Sequence, residues 1–133
     1  MGNVQSLNKI SFHDMKQCIS KNHTIITVMK DESCTIQGTI SINREEEIIN
    51  ELYNSDLTKP IIIYGYNDCD ENIILKYKQL KELGFINVFI YPGGMFEWLL
   101  LQDIYTNVNF KTNKKELNLL KYKPNNNNKI DSL

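Results

Sequence analysis

The chain has 133 residues, which predicts one domain, since domains cluster at roughly 100–150 residues. Hydrophobic residues make up 41% of the chain and charged residues 23%, values that are ordinary for a globular protein and exclude global disorder. No apolar run approaches the roughly 18 residues that span a bilayer, and no hydrophobic signal region opens the chain. We therefore expect neither a membrane-spanning protein nor a conventional secreted precursor.

Charge is distributed unevenly along the chain, although the net charge is only −1. Residues 111–133 carry six lysines against Glu116 and Asp131, a net of +4, which leaves −5 for residues 1–110. A net charge near zero gives no general attraction to nucleic acid, so no nucleic-acid partner is predicted. The basic end is expected to be a solvated surface, with contact to an anionic membrane or an acidic partner as the alternative.

The three cysteines, Cys18, Cys34 and Cys69, are odd in number and widely spaced. They form no C-x-x-C pair and have no histidine at ligand spacing, so neither a zinc site nor a disulfide framework is predicted. This pattern favours a reducing, cytoplasmic setting. Cys18 lies on the apolar face of a predicted helix and is expected in the core, whereas Cys34 is expected to be exposed in a polar loop.

Helix and strand signals alternate along the chain. The first half of the chain predicts a helix capped by Ser11 and Asp14, a buried strand over 24–29, a short strand over 35–42 and a helix capped by Asn43 and Glu46. The second half predicts strands over 61–64 and 88–91, a helix over 95–105 and a short helix near 114–121. Between those two strands lies a predicted helix that ends at Gly84 and has the apolar positions Ile73, Ile74, Tyr77 and Leu80.

Strands joined by crossover helices predict an α/β fold, in which a central, mostly parallel sheet carries helices on both faces. The run Ile61–Tyr64 is the most apolar and is predicted to be the central strand. In such folds the ligand site lies outside the carboxyl ends of the strands. The architecture therefore nominates the loop 65–71 as the candidate site.

Chemistry in this loop would depend on Cys69. If Asp68 is the N-cap, Cys69 occupies the first helical position, where unpaired N–H groups and the helix dipole favour a thiolate. Asp68, Asp70 and Glu71 oppose this effect, because three carboxylates within one turn offset the dipole and repel anions. Cys69 is thus the candidate nucleophile, and an ordinary loop cysteine is the alternative.

The histidines, the paired glycines and the aromatic residues give weaker indications of a functional site. His13 and His23 are expected to be surface or capping histidines, and nothing in the sequence places either beside Cys69. The pair Gly93–Gly94 lacks the spacing of a dinucleotide-binding loop, and no G-K-[ST] motif is present. No metal site and no cofactor are predicted. Three aromatic residues are expected to pack beneath the sheet edge, with an outward-facing Phe96 as the alternative: Tyr91, Phe96 and Trp98.

The run PIIIYGYNDCDENIILKYKQLKELGFINVFIYPGGMFEWL, from Pro60 to Leu99, resembles the rhodanese-like domain. Upstream, Ile25–Val28 would correspond to the first core strand of that family. The resemblance covers most of residues 10–105, and the string GGMFEWLLLQDIY is similar to a single-domain branch found in protists and large DNA viruses. The residues that fall on the family pattern are Leu80, Gly84, Phe85, Asn87, Val88, Gly93, Gly94, Met95 and Trp98.

The resemblance implies a sulfurtransferase scaffold, but the loop departs from it. In active members the catalytic cysteine directly follows the buried strand, and that place is Gly65 here, whereas the usual spacing counted back from Gly84 places it near Asn67. Their loop then offers Gly, Ser and a cation to a sulfur-bearing anion, whereas this loop reads Tyr66-Asn67-Asp68-Cys69-Asp70-Glu71.

Two functions follow from the resemblance. The favoured one is a non-catalytic or divergent module for interaction or regulation, with a protein partner that the sequence does not identify. The alternative is a sulfurtransferase that carries persulfide sulfur on Cys69, whose partners would be a sulfane sulfur donor and an acceptor. A related phosphatase activity is disfavoured, because no arginine follows Arg44 to bind phosphate.

The start of the chain, Met1–Ser6, fits the M-G-x-x-x-[ST] pattern for N-myristoylation, with Gly2 as the acceptor. A single myristoyl chain gives weak, reversible membrane binding. We therefore expect a cytoplasmic monomer with weak peripheral membrane association. Its predicted organisation is a flexible segment over 1–9, a rhodanese-like domain over 10–123 and a disordered Asn-rich tail over 124–133.

Overall fold

The computed structural model describes residues 7–124. Its elements, in chain order, are α1 Phe12–Ser20, β1 Thr24–Thr27, α2 Ile42–Ser55, β2 Ile61–Tyr64, α3 Asn72–Glu82, β3 Val88–Ile90, α4 Gly94–Ile104 and a 3-10 helix over Leu119–Tyr122. The three strands form one parallel sheet in the order β1-β2-β3, as the alternation of helices and strands predicted.

The side chains of β2 alternate between two buried clusters, one on each face of the sheet. Ile62 and Tyr64 join the cluster that contains Met15 of α1 and Trp98 of α4. Ile61 and Ile63 join the other cluster. The helix residues of that second cluster, from α2 and α3, are Ile49, Leu52, Ile73, Tyr77 and Leu80. All four side chains of β2 are fully buried, which confirms Ile61–Tyr64 as the central strand.

The predicted start of α1 and end of α3 are also confirmed. Ser11 Oγ accepts a hydrogen bond from the backbone N–H of Asp14, and the Asp14 carboxylate accepts one from the backbone N–H of Ser11, which completes a capping box. After α3, Gly84 takes φ +107°, a left-handed conformation that favours glycine and ends the helix.

The predicted strand over 35–42 is wrong. Gly38 takes φ +90°, which interrupts any extended run, and only single bridges form on either side, Ile36 to Thr112 and Thr39 to Ile25. The predicted cap of α2 at Asn43 is also wrong, because this helix already begins at Ile42. The side chain of Glu32 takes the capping role there, since its Oε1 accepts a hydrogen bond from the N–H of Ile42 at 2.6 Å.

Three smaller predictions need correction. The first strand ends at Thr27 rather than at residue 29, because the N–H of Met29 turns back to the side chain of Thr27. Ile74 of α3 is 41% exposed and faces away from the core. The last helix is a 3-10 turn over 119–122 and not a helix from 114, and the carbonyl oxygen of Lys114 accepts from the thiol of Cys34.

Candidate functional site

The loop 65–71 leaves the carboxyl end of β2 and passes the start of α4. Two N–H groups of α4 hold it: Met95 donates to the carbonyl oxygen of Gly65 at 2.9 Å, and Phe96 donates to that of Tyr66 at 3.0 Å. Gly94 permits this approach, because it takes φ +64° and a Cβ there would lie 2.5 Å from the Gly65 oxygen. The loop is thus fixed to the helix beside it.

The carboxylate of Asp70 folds back over Gly65. Its Oδ2 accepts a hydrogen bond from the backbone N–H of Tyr66 at 3.3 Å, and its Oδ1 accepts one from that of Asn72 at 3.1 Å. A Cβ added to Gly65 would overlap Asp70 Oδ2. A carboxylate of the protein itself therefore occupies the space that a side chain at residue 65 would need.

The side chain of Asn67 organises the middle of the loop. It is only 7% exposed, its Oδ1 accepts from the N–H of Cys69 at 2.9 Å, and its Nδ2 donates to the carbonyl oxygen of Tyr122 at 2.9 Å. The ring of Tyr66 stacks on the ring of Tyr122, with centroids 5.8 Å apart. The C-terminal 3-10 helix is therefore part of the candidate site.

Because of these contacts α3 begins later in the sequence than predicted, and the predicted N-cap of this helix is wrong. The helix begins at Asn72, so Asp68 is not its N-cap and Cys69 does not occupy its first turn. The expected activation of Cys69 by the helix dipole is therefore absent, because that effect is confined to the first turn. Cys69 is exposed, and its Sγ donates to Asp68 Oδ1 at 3.6 Å.

The three loop carboxylates lie in different settings. Asp68 and Glu71 are exposed, and Asp70 is half-buried under its two N–H donors. The first lysine of α3, Lys76, does not offset them freely, because its Nζ is 2.7 Å from Glu45 of α2. The loop therefore presents acidic groups to solvent.

The other two thiols are structural. Cys34 was expected to be exposed, yet it is 1% exposed and donates to the carbonyl oxygen of Lys114 at 3.2 Å. Burial raises the pKa of Cys34, so the thiol stays protonated. Cys18 is half-buried against the cluster of Trp98, and burial raises its pKa as well.

The remaining predicted site residues take ordinary positions. His13 is exposed and its ring lies 4.2 Å from that of Phe12, whereas His23 is half-buried beside β1. Within residues 7–124 no group of three or more metal-ligating side chains is assembled, and no helix is long and apolar enough to cross a membrane. Gly2 lies outside the described residues.

Residues 11–101 match the family model described as the rhodanese-like domain. The chain belongs to the rhodanese-like domain family. The match spans the sheet, the candidate loop and most of α4. This rhodanese-like domain has the Asp70 carboxylate beside Gly65, the residue that directly follows the central strand.

Solved structures share the fold at low sequence identity. The Alr3790 protein from Anabaena sp. superposes with a TM-score of 0.58 at 18% identity, over 84% of this chain and 97% of that one. The polysulfide-sulfur transferase homodimer from Wolinella succinogenes gives 0.52 at 20% identity, over 71% and 74%. A search of curated proteins found no match.

The sequence predicts the role of Asp70 in the site only in part and does not predict that of Tyr122. Asp70 was identified as an acidic loop residue, but nothing in the local pattern indicated that its carboxylate would turn back onto Gly65. Tyr122 was missed, since it is 55 residues from its partner Asn67 and no local signal connects them.

Proposed function

We propose that this rhodanese-like domain does not transfer sulfur and acts as a module for interaction with another protein. One observation carries the proposal: the Asp70 carboxylate fills the space next to Gly65 and accepts the N–H of Tyr66. A sulfur-bearing anion at that place would need the same space and the same donor.

Electrostatics support the proposal. Two like charges about 4 Å apart repel by about 1 kcal/mol in water and by more near a protein surface. Asp70 lies next to Gly65, and the exposed Asp68 and Glu71 are close to it in the sequence. A divalent donor such as thiosulfate would therefore meet repulsion where an active loop offers a cation.

The alternative is sulfur transfer through Cys69. In that reaction the Cys69 thiolate attacks the outer sulfur of thiosulfate, the S–S bond breaks, and sulfite leaves with the electron pair. An acceptor thiolate or cyanide then removes the sulfur and restores the Cys69 thiolate. The structure gives this route little help, because the N–H of Cys69 is bonded to Asn67 and its Sγ lies beside Asp68.

Mass spectrometry after incubation with thiosulfate tests both functions. We expect the full chain to remain unmodified and to form no thiocyanate from cyanide above the background rate. The matched controls are Cys69→Ser and Cys18→Ser, which each remove one thiol, from the loop and from α1. The proposal fails if the wild type and Cys18→Ser gain one sulfur atom and turn over, while Cys69→Ser does neither.

The interaction role has a separate test. A photocrosslinker attached at Cys69 should label a discrete partner in cell extract, and Asp68→Lys/Glu71→Lys should abolish the labelling, because the proposed partner contacts the acidic loop. Lys21→Glu, an exposed change at the end of α1, is the control. We expect the isolated chain to sediment as a monomer, and labelling that the loop variant leaves unchanged would contradict the role.

Weak membrane association through Gly2 is proposed on the sequence pattern alone. Expression with N-myristoyltransferase and labelled myristate should label the wild type and not Gly2→Ala. The labelled protein should bind anionic vesicles at low salt and be released by high salt, since one acyl chain anchors weakly. Absence of label on the wild type would remove the idea.

A further inference from the structure

A second cleft lies away from the candidate loop and is lined by lysines. It has a volume of about 250 Å³ and opens between the chain after β1 and the segment that follows α4. None of its lining residues is acidic. They are Gln37, Gln102, Asn107, Lys111, Thr112, Asn113, Lys114 and Lys115.

The backbone that carries these lysines is held rigidly. The carbonyl oxygen of Lys111 accepts from the N–H of Gln37 and from the indole N–H of Trp98, both at 3.0 Å. Asn113 and Thr35 are joined twice, because the Asn113 N–H donates to the Thr35 oxygen at 2.9 Å and the Thr35 N–H donates to Asn113 Oδ1 at 2.7 Å. The cleft is therefore largely formed before any ligand arrives.

The same segment is fixed at two more points. Gln102 Nε2 donates to Thr112 Oγ1 at 3.3 Å and to the carbonyl oxygen of Phe110 at 2.7 Å. Thr112 Oγ1 in turn donates to the carbonyl oxygen of Lys114 at 2.6 Å, which the Cys34 thiol also reaches. These bonds engage backbone and uncharged side chains, and leave the ammonium groups outside the network.

The positive charge of the cleft is not neutralised within residues 7–124. Lys111, Lys114 and Lys115 have no carboxylate within 4.0 Å in this part of the chain, and all three are exposed. Asp103 and Glu116 line a neighbouring cleft that shares Gln102, Asn107 and Lys115 with this one, and Glu116 is already 3.5 Å from Lys121. Three lysines without a carboxylate partner therefore line one polar cleft.

We infer that this cleft binds a compact polyphosphate group. Lysine ammonium groups bind phosphate oxygens as point charges, and three of them can offset the several negative charges of a short phosphate chain. The amide side chains of Gln37 and Asn107 supply further donors. The volume is below the roughly 300–1,000 Å³ of drug-sized pockets, which favours a short phosphate chain over a large organic ligand.

Titration of the full chain with sodium pyrophosphate tests the inference, followed by ¹⁵N NMR and by calorimetry. Amide signals of residues 111–115 and of Gln37 should shift, and the affinity should fall with added salt, since exposed charges are screened. Lys111→Gln/Lys114→Gln/Lys115→Gln should weaken binding by at least about tenfold. The matched control, Lys21→Gln/Lys59→Gln/Lys78→Gln, removes the same charge from exposed lysines elsewhere and should bind as the wild type does.

Titrations with other ligands identify the source of the phosphate group. ADP that binds as tightly as pyrophosphate would show that the phosphates alone are recognised, and tighter binding of ADP would add a nucleoside contact; both results support the site. Equal shifts with sodium sulfate at the same ionic strength would overturn it, as would equal weakening in the control variant. Binding of a duplex RNA without any binding of pyrophosphate would also overturn it.

Discussion

The side-chain amide of Asn67 donates to the carbonyl oxygen of Tyr122 at 2.9 Å and so joins the candidate loop to the C-terminal 3-10 helix. The same side chain accepts a hydrogen bond from the N–H of Cys69, so it also fixes the backbone within the loop. The stacked rings of Tyr66 and Tyr122 add a second contact between the two segments. The shape of this loop therefore depends on residues far away in the sequence.

Asn67→Ala should lower the free energy of unfolding by about 1–3 kcal/mol, because it leaves a buried carbonyl oxygen without its donor. Urea unfolding measures the change. Asn54→Ala, at an exposed position on α2, is the matched control and should lie within about 0.5 kcal/mol of the wild type. Equal stability of the two variants would contradict the role assigned to Asn67.

Gly65→Ala should destabilise the domain by about 1–3 kcal/mol, because the new Cβ overlaps the Asp70 carboxylate. The cost should be smaller by about 1 kcal/mol when the same change is made in Asp70→Gly, since neighbouring changes are not additive. A remainder is expected from Val28, whose Cγ2 would lie 3.0 Å from the Cβ. Identical costs in both backgrounds would show that Asp70 does not fill this space.

Ile62→Asp should abolish cooperative unfolding, because this residue of the central strand is 0% exposed and an unpaired charge there costs several kcal/mol. Thermal unfolding followed by circular dichroism is the measurement. Leu75→Asp, on the outer side of α3 where the side chain is 65% exposed, introduces the same group and should leave the transition intact. A cooperative transition in Ile62→Asp would contradict the central position of β2.

The ion pair between Asp31 and Lys121 should make the stability of the domain depend on pH. Hydrogen bonding from the Lys121 ammonium, at 2.8 Å, is the largest cause that lowers the pKa of Asp31 from 3.8 to about 2. Because the folded-state pKa is depressed, the stabilisation is complete above about pH 4 and is lost as the pH falls towards 2.

The titration of the Asp31 carboxyl carbon by NMR measures this effect. Lys121→Gln should move the midpoint up towards 3.8, whereas Lys115→Gln, a neighbouring lysine without such an ion pair in the described chain, should leave it near 2. If the midpoint is the same in Lys121→Gln as in the wild type, the ion pair does not form in solution.

Local signals predicted most of the fold. The capping box at Ser11, the apolar run of β2 and Gly84 after α3 each act within a few residues, so the sequence reveals them. The errors at 35–42 and at Cys34 have one cause. Both regions lie against the segment that follows α4, through contacts such as Cys34 to Lys114, which are 80 residues apart.

The sequence likewise predicts part of the candidate site and not the rest. The position of the loop and its acidic character follow from the strand pattern and composition, and the absence of a cysteine directly after β2 is visible in the sequence. The delayed start of α3 is not visible, because Asp70 and Asn67 use their side chains to bind loop N–H groups instead of capping the predicted helix. Which of several competing acceptors a loop N–H chooses is decided by the folded geometry.

The C-terminal segment also decides how the protein can be trimmed for experiments. The family match ends at residue 101, yet Phe110 and Tyr122 are buried beyond it, and the Phe110 ring meets Trp98 edge-on at 5.1 Å. A fragment cut at the family boundary would open the cluster around Trp98 to water and expose an apolar patch that favours aggregation. Expression boundaries for this domain therefore belong after Tyr122, although the family pattern ends some twenty residues earlier.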